Sequence, residues 1–480
     1  MKSRINILVD IITFICYNIY YERLKFKIIL YVAMLVVIFL RCIKFGSIPA
    51  GYHLDELGSA VDAWYIAYYG IDRYGISYPV YFINYGMGQS PMFTYFCAAS
   101  IYLFGVNEIA VRLPMLFSAI MIIFFGVKLI ELIWQDRLIK TVYAQILFVI
   151  TYGISPYCFM ASRFGLDCNL MFGAATVFLY FFISALISRN NIKFFISGIF
   201  AGIVLYSYAV SYVVMPLFLI MTLIYLIRLQ KINLREVFCF AIPLIIIAIP
   251  LLLVQYINLF SADLIMKLGP FSVTKMFVYR SGELTLSNIP QNVYLVFKSA
   301  LAYDWIDYNT VKKFWNFYHV SIIFAVFGMI ECIRQFFKDL HYKNFSGESI
   351  IFLWFLAMLM LGAMLGKHDE GNINPNATKI NGIFISMVIF IVYGIAKSYS
   401  LLITAKLKKI FTVSMTLIYF VYSVLFFNYY FKHHQPKFIF GVTNEELIYL
   451  INEIHARPSV FTDHDKMISV FNKVSKNHGW

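Results

Sequence analysis

The chain has 480 residues, of which 61% are hydrophobic and 13% charged, and its mean hydropathy is +0.75. This composition excludes a soluble globular protein and predicts an all-α polytopic membrane protein. The formal net charge is +14, but the basic residues lie in short connections between apolar segments, which favours membrane lipid rather than nucleic acid as a partner.

The 7 cysteines are scattered along the chain. None forms a Cys-x-x-Cys pair or a Cys/His set with the spacing of metal ligands, so the sequence predicts neither a disulfide framework nor a structural zinc site. Buried free thiols are the simpler interpretation.

The first segment, 1–27, is apolar over Ile5–Tyr20 and then basic, without a small-residue cleavage site. It is expected to be cytoplasmic or to lie on the membrane surface as an interfacial helix. Residues 28–430 are expected to form the transmembrane domain, with about eleven apolar runs of spanning length. These runs are 28–45, 109–131, 141–160, 170–187, 194–211, 212–228, 237–255, 317–334, 350–366, 381–397 and 410–430.

Basic residues cluster on alternate connections between these runs, and such connections are cytoplasmic by the positive-inside rule. The other face then receives the unusual polar residues, so chemistry is expected outside the cytoplasm, at the plasma membrane. Its segments are the long first outer loop 46–108, the turn 162–169, the stretch 256–316, the loop 367–380 and the tail 431–480.

Two stretches of the first outer loop, 56–69 and 90–104, are themselves apolar. We expect juxtamembrane helices at the interface, where tyrosine and tryptophan are favoured, although one more pair of spans is an alternative. The tail 431–480 is expected to be small and extracytoplasmic, with a helical pattern too short for an independent catalytic domain.

The adjacent acids Asp55 and Glu56 follow the first apolar run by about ten residues. A carboxylate at the edge of the hydrocarbon is costly to place, which favours a functional role such as that of a general base. The structural alternative is a helix start, since an acid there interacts favourably with the helix dipole. The two interpretations are compatible.

The turn Ser162–Asn169 contains Arg163 and Asp167, four positions apart. A local ion pair would explain them structurally but would contribute only about 0.2–1 kcal/mol if exposed. That is little beside the cost of about 2.5–3.5 kcal/mol for a charge at the centre of a membrane helix. The comparison favours a functional role if the pair lies within the membrane, and it decides little if the pair lies above it.

Polar and aromatic residues between Gly70 and Pro91 suit a sugar-binding surface, and an ordinary interfacial aromatic belt is the alternative. Asp72 and Arg73 are candidates for a pair with each other. The loop 367–381 contains His and acidic residues, but consecutive ligands do not converge on one ion, so a solvated loop is favoured. Its Lys367 and Lys379 are candidate cations for a lipid phosphate.

The first outer loop resembles that of the protein O-mannosyltransferase and aminoarabinose transferase superfamily, glycosyltransferase family 39-like enzymes with the GT-C fold. The resemblance is carried by a set of short elements. They are Asp55-Glu56, Gly70-Ile71-Asp72, Gly75, Pro79, Gly88-Gln89-Ser90-Pro91, Leu103-Phe104-Gly105 and Glu108-Ile109-Ala110-Val111-Arg112-Leu113-Pro114, together with the turn Ser162–Asn169.

The resemblance implies a donor sugar on a polyprenyl phosphate and no nucleotide. It implies that Asp55 is the catalytic acid of the first loop, with Glu56 beside it, and that Asp167 is the acid of the second loop. His53, Asp72 and Gln89 are then candidates for substrate binding.

A departure from the family concerns the Glu-Lys-Pro element of aminoarabinose transferases, which is Gln89-Ser90-Pro91 here. This removes a metal ligand and a phosphate-binding lysine. No cofactor is implied with certainty, and a divalent metal ion, if bound, would lie at Asp55 and Asp167. The donor phosphate would need another cation, for which Arg163, Lys367 and Lys379 are candidates.

These features predict a hexosyl- or pentosyltransferase in which Asp55 accepts the proton of an acceptor hydroxyl as that oxygen attacks the anomeric carbon with inversion. The acceptor would be an envelope glycan, a lipid or a protein. A flippase or transporter of lipid-linked saccharides, a polysaccharide polymerase or ligase, and a non-enzymatic scaffold are the alternatives. A transporter is expected to carry ionisable residues at the bilayer midplane and internal repeats, whereas the acids here lie at loop edges.

Overall fold

Long apolar helices make up most of the computed structural model, which describes residues 24–84, 87–134, 138–276, 283–304, 309–366, 375–434 and 442–456. The predicted interfacial segment Ile5–Tyr20, the candidate Lys367 and the tail beyond residue 456 lie outside these ranges. The first nine helices are α1 (24–42), α2 (Leu54–Tyr69), α3 (Pro91–Phe104), α4 (Glu108–Ile133), α5 (Leu138–Ile154), α6 (Pro156–Ala161), α7 (Asp167–Ser188), α8 (Asn191–Ser207) and α9 (Ser211–Leu229).

The later helices are α10 (Leu234–Phe260), α11 (Ile289–Leu301), α12 (His319–Tyr342), α13 (Gly347–Met364), α14 (Phe384–Leu401), α15 (Ala405–His433) and α16 (Asn444–Ala456). A 3₁₀ turn, Asn381–Ile383, leads into α14. Two antiparallel hairpins, which the sequence did not predict, pair β1 (Phe82–Asn84) with β2 (Met87–Gln89) and β3 (Ile265–Leu268) with β4 (Phe271–Thr274).

Eight helices of the described chain are long and apolar enough to cross a membrane, namely α4, α7, α9, α10, α12, α13, the segment Asn381–Leu401 that contains α14, and α15. The other three predicted runs are covered by α1, α5 and α8. Of these, α5 and α8 are shorter, and α1 carries Lys25, Lys27 and Arg41. The expected number of eleven spans is therefore not confirmed.

The predicted run 141–160 is broken because Pro156 has no N–H to donate and fits the first helical turn best. The helix α5 ends at Ile154, and α6 begins at Pro156 after Ser155. The boundary predicted between the runs 194–211 and 212–228 is present a few residues earlier, with α8 ending at Ser207 and α9 beginning at Ser211.

Close helix contacts in the core depend on glycine. A Cβ at Gly328 of α12 would lie 1.9 Å from the Phe390 carbonyl oxygen, and one at Gly394 of α14 would lie 2.0 Å from that of Phe324. Small residues let membrane helices approach this closely and gain dispersion contacts where lipid offers no hydrophobic driving force. The centre of the bundle is α7, which is mostly buried and packs against α4 and α8.

The segments predicted to lie outside the cytoplasm meet at one end of the bundle. The contacts that join them are the bridges Tyr52–Val442 and Pro79–Ser272, the hydrogen bond from the Gly165 N–H to Glu56, and the ion pair Lys379–Glu283. Among the predicted cytoplasmic connections, contacts include Arg189–Glu236 and Lys397–Glu331. The connections predicted to be cytoplasmic and the segments predicted to lie outside thus form two groups of loops, and each group has its own internal contacts.

The first outer loop folds as the helix pair α2–α3 joined through the hairpin β1–β2, and α16 packs on α2. His53 and Glu56 form a capping box at the start of α2, and Gly70, at φ +68°, ends it in the left-handed conformation that glycine adopts without a Cβ clash. Leu447, Leu450, Ile451 and Ile454 of α16 are buried in the same cluster as α2 and α3.

Candidate active site

Asp55 lies in the first turn of α2, where the positive end of the helix dipole favours a carboxylate. Its backbone N–H donates to His53 Nδ1 at 3.1 Å, and its Oδ1 accepts from Asn84 Nδ2 at 3.4 Å. The side chain is 49% exposed, so a carboxylate oxygen remains accessible to a proton donor. His53 itself is packed edge-on against Phe164.

Asp167 is the first residue of α7, and backbone donors hold its carboxylate. Oδ1 accepts from its neighbour Cys168 at 2.7 Å, and Oδ2 accepts from the Ser90 N–H of the first outer loop at 3.2 Å. The carboxylate of Asp167, in the turn 162–169, is therefore held by the backbone of the first outer loop.

Asp55 and Asp167 are close enough to interact electrostatically. Two consecutive residues connect them, because Gln89 Nε2 donates to the Asp55 carbonyl at 3.5 Å while the Ser90 N–H reaches Asp167. Two neighbouring carboxylates favour a cation or a hydrogen-bond donor between them, since like charges repel when nothing separates them. This is the chemistry expected where an acceptor hydroxyl loses its proton.

Glu56 points away from this pair into the protein. It is fully buried and forms a two-point ion pair with Arg112 of α4, at 2.8 and 3.0 Å, while accepting from the backbone of His53 and Gly165. Arg112 also donates to the carbonyls of Gly46, Pro49 and Gly51. The geometry assigns Glu56 a part in holding the two outer segments together.

Arg163 does not pair with Asp167 in the way the local ion-pair interpretation expected. Its guanidinium donates to the carbonyls of Arg41, Lys44 and Ile48 and to the Tyr430 hydroxyl. Every guanidinium nitrogen therefore has an acceptor, either in α1 and the connection after it or on Tyr430 of α15.

Asp72 forms a tight turn in which its Oδ1 accepts from the N–H groups of Tyr74 and Ile76. Burial, and after it the charge of Asp62, raises the pKa of Asp72 to about 8. Arg73 makes a buried two-point ion pair with Asp62 of α2 at 2.8 and 2.7 Å, and its charge also acts on Asp72, so the pairing of Asp72 with Arg73 stays a prediction. Asp62 was not singled out from the sequence, since its partner is 11 positions away.

Lys379 pairs with Glu283 at 2.8 Å and acts electrostatically on Cys168, the neighbour of Asp167. A cluster of buried asparagine side chains lies at the first turn of α7. Asn309 and Asn381 both donate to Asn169 Oδ1, at 2.9 and 3.3 Å. No sequence pattern predicted this cluster, because its asparagines come from three distant segments of the chain. Lys379 is two positions before Asn381, whose amide reaches Asn169 in the first turn of α7.

The oxygen atoms near the two acids suit a hard divalent cation such as Mg²⁺ or Mn²⁺. Besides the carboxylates, Gln89 Oε1 is buried and has no partner in the described part of the chain. Within those residues no group of three or more His, Cys, Asp or Glu side chains could hold a metal. An ion here would thus rely on Asp55, Asp167 and an amide oxygen.

No protein-family model and no curated protein matches the chain. Among solved structures, the chain is similar to the aminoarabinose transferase ArnT from Cupriavidus metallidurans, both bound to undecaprenyl phosphate and in the apo state. Each match has 12% identity and a TM-score of 0.53, and covers 95% of this chain and 77% of the other. The likeness confirms the predicted fold: the chain is a multi-pass membrane protein with the GT-C fold.

Proposed function

We propose that this chain, with its GT-C fold, is a membrane glycosyltransferase that moves a sugar from a polyprenyl-phosphate donor to an acceptor hydroxyl. The observation that carries the proposal is the meeting of Asp55 and Asp167, which belong to separate outer segments and are joined through Gln89 and Ser90. The donor class is supported by the undecaprenyl phosphate bound to the structurally similar transferase.

The proposed reaction is a single displacement at the anomeric carbon. Asp55 accepts the proton of the acceptor hydroxyl, the hydroxyl oxygen forms the new glycosidic bond, and the bond from the anomeric carbon to the phosphate oxygen breaks. The electron pair of the broken bond leaves with the phosphate, and the configuration inverts. The exposure of Asp55 supports its assignment as the base.

Asp167 has a different proposed role. Both of its oxygens accept from backbone N–H groups, which fixes its position at the start of α7. A fixed negative charge beside Asp55 would orient the acceptor hydroxyl or share a divalent cation. Such an ion would neutralise charge on the departing phosphate.

The departing phosphate needs a cation, and Lys379 is the proposed one. Its ammonium is held by Glu283 near the α7 start, whereas the donors of Arg163 are directed at backbone carbonyls. Lys367 stays a prediction because it lies outside the described residues. Preorganised positive charge lowers the energy of a transition state in which phosphate charge develops.

The proposed location is the plasma membrane with the site on the extracytoplasmic face, because the short basic connections lie at the other end of the bundle. The acceptor class is an envelope glycan, a lipid or a protein, and the transferred sugar is a hexose or pentose. A donor dissolved in the bilayer explains why such a transferase consists mostly of membrane helices.

The test is transfer by purified, lipid-reconstituted protein from a panel of synthetic undecaprenyl-phosphate hexoses and pentoses, read by release of undecaprenyl phosphate in the presence of envelope extract. Asp55→Asn removes the base without changing its size, and we expect the rate to fall by about 100-fold or more. The control is Asp263→Asn, an exposed acid after α10. Transfer by Asp55→Asn near the wild-type rate would remove Asp55 from the mechanism, and no turnover of any donor by the wild type would overturn the proposed function.

A further inference from the structure

The hairpin β1–β2 and the Ser90 that follows it contact both acids of the candidate site, and neither the sequence nor the comparisons assign a role to Asn84, the last residue of β1. We propose that Asn84 is a positioning residue for Asp55 and that Gly58 provides the clearance Asn84 needs. This inference rests on the proposed function, because it assigns a role toward the proposed base.

The contact begins at the end of β1. Asn84 is 6% exposed, pairs with Met87 across the hairpin, and donates from Nδ2 to Asp55 Oδ1. A donor on one carboxylate oxygen restricts rotation of the side chain and leaves the other oxygen to accept a proton. Such preorganisation raises the rate without tighter ground-state binding.

Gly58 makes this contact possible because it lies one helical turn after Asp55 on the same face of α2. A Cβ at Gly58 would be 2.1 Å from Asn84 Oδ1, 2.8 Å from Cγ and 2.9 Å from Nδ2. The amide therefore lies directly on the helix backbone, and a single methyl group would displace it. Gly58 has an ordinary helical conformation, so close approach rather than backbone freedom explains the glycine.

The second strand of the same hairpin continues to the other acid. Gln89 ends β2 and contacts the Asp55 carbonyl, and Ser90 follows with its N–H on Asp167. A contact with β4 stabilises the hairpin, since the Val80 N–H, just before β1, donates to the Ser272 carbonyl at 2.8 Å. One short element thus sets the orientation of Asp55 and its separation from Asp167.

The experiment uses the full chain in lipid, with transfer measured from the undecaprenyl-phosphate sugar that the wild type turns over best. Asn84→Ala and Gly58→Ala are each expected to lower kcat about tenfold with KM within about twofold, since one loses the donor and the other displaces it. Alanine is a better helix former than glycine, so a loss in Gly58→Ala would not reflect a weaker helix. The double variant is expected to be no slower than either single variant, because both changes remove one contact.

A pH profile separates positioning from general structural damage. In Asn84→Asp a second carboxylate faces Asp55, so Asp55 holds its proton to higher pH and the acid limb of the kcat profile moves upward. The control Ser59→Ala, a buried neighbour on the same helix, is expected to keep both the rate and the profile.

Either of two results would overturn the positioning role. One is wild-type kcat in both Asn84→Ala and Gly58→Ala. The other is additive losses in the double variant together with an unchanged acid limb in Asn84→Asp. Those outcomes leave the proposed function intact provided that Asp55→Asn is inactive. If the wild type transfers no sugar from any donor, the proposed function itself has failed.

Discussion

At the residue scale, buried charges in the outer loops are paired or bonded to backbone carbonyls. Arg112, Arg163 and Arg73 are almost fully buried, and each donates to a side chain and to at least one backbone carbonyl of the first outer loop. Removing one partner of a buried pair costs about 3–5 kcal/mol, since it leaves an uncompensated charge. These side chains therefore serve the loop structure, whereas Asp55 keeps an exposed face.

The raised pKa of Asp72 predicts how stability depends on pH. A carboxyl whose pKa in the folded state is about 8 stabilises the fold while protonated, and that contribution is lost as pH rises from about 4 through about 8. Asp72→Asn keeps an Oδ1 that accepts from Tyr74 and Ile76 and stays neutral. We expect its melting temperature to exceed that of the wild type by a few degrees near pH 9, and the difference to shrink near pH 5.

The measurement is thermal unfolding in detergent across this pH range. Asp263→Asn, which changes an exposed acid, is the matched control and should follow the wild-type curve. Parallel curves for Asp72→Asn and the wild type would show that Asp72 is charged in the folded state at all these pH values.

At the element scale, the helices could be predicted from apolar length and from their start signals. The predicted stretches 56–69 and 90–104 correspond to α2 and α3, and the predicted site residues Asp55 and Asp167, singled out as acids beside apolar runs, lie in the first turns of α2 and α7. The hairpins were missed because strands of three or four residues leave too little alternation to recognise. The partner of Glu56 was missed because Arg112 is 56 positions away, and local spacing carries no information about such a contact.

The helix α16 is predicted to hold the first outer loop in place. Leu450 is fully buried against α2, and the Tyr65 hydroxyl donates to the Ile451 carbonyl. Leu450→Ala removes a buried side chain, which typically costs about 2–5 kcal/mol, here at the α16–α2 interface. We expect faster cleavage of the first outer loop in limited proteolysis.

The control is a change at the exposed neighbour of Leu450 on the same helix. Tyr449 is 45% exposed, and Tyr449→Ala should leave the cleavage rate unchanged. Equal cleavage rates for Leu450→Ala and the wild type would mean that α16 does not stabilise the loop.

At the scale of the whole molecule, the two groups of loops predict an orientation. Ile448 of α16 belongs to the group that contains the acids, and Ser400 at the end of α14 belongs to the basic group; both are exposed. With Cys16 and Cys42 replaced by serine, a membrane-impermeant maleimide should label Ile448→Cys in intact cells and Ser400→Cys only after permeabilisation. The reverse pattern would place Asp55 and Asp167 on the cytoplasmic face.

The helices of the bundle differ in how much of their surface is buried by the rest of the chain. In the most apolar 18-residue window of α15 only 6% of the residues are buried, yet its last turns place Phe426 and Tyr430 against Phe159 and Arg163. A helix of 29 residues is about 43 Å long, longer than the roughly 30 Å hydrocarbon layer. Little of its length is thus covered by the rest of the described chain, while near its outer end the Tyr430 hydroxyl accepts from Arg163, which donates to the carbonyls of Lys44 and Ile48. We therefore expect changes in bilayer thickness, and delipidation during purification, to act through α15 on the end of the bundle that contains Asp55 and Asp167.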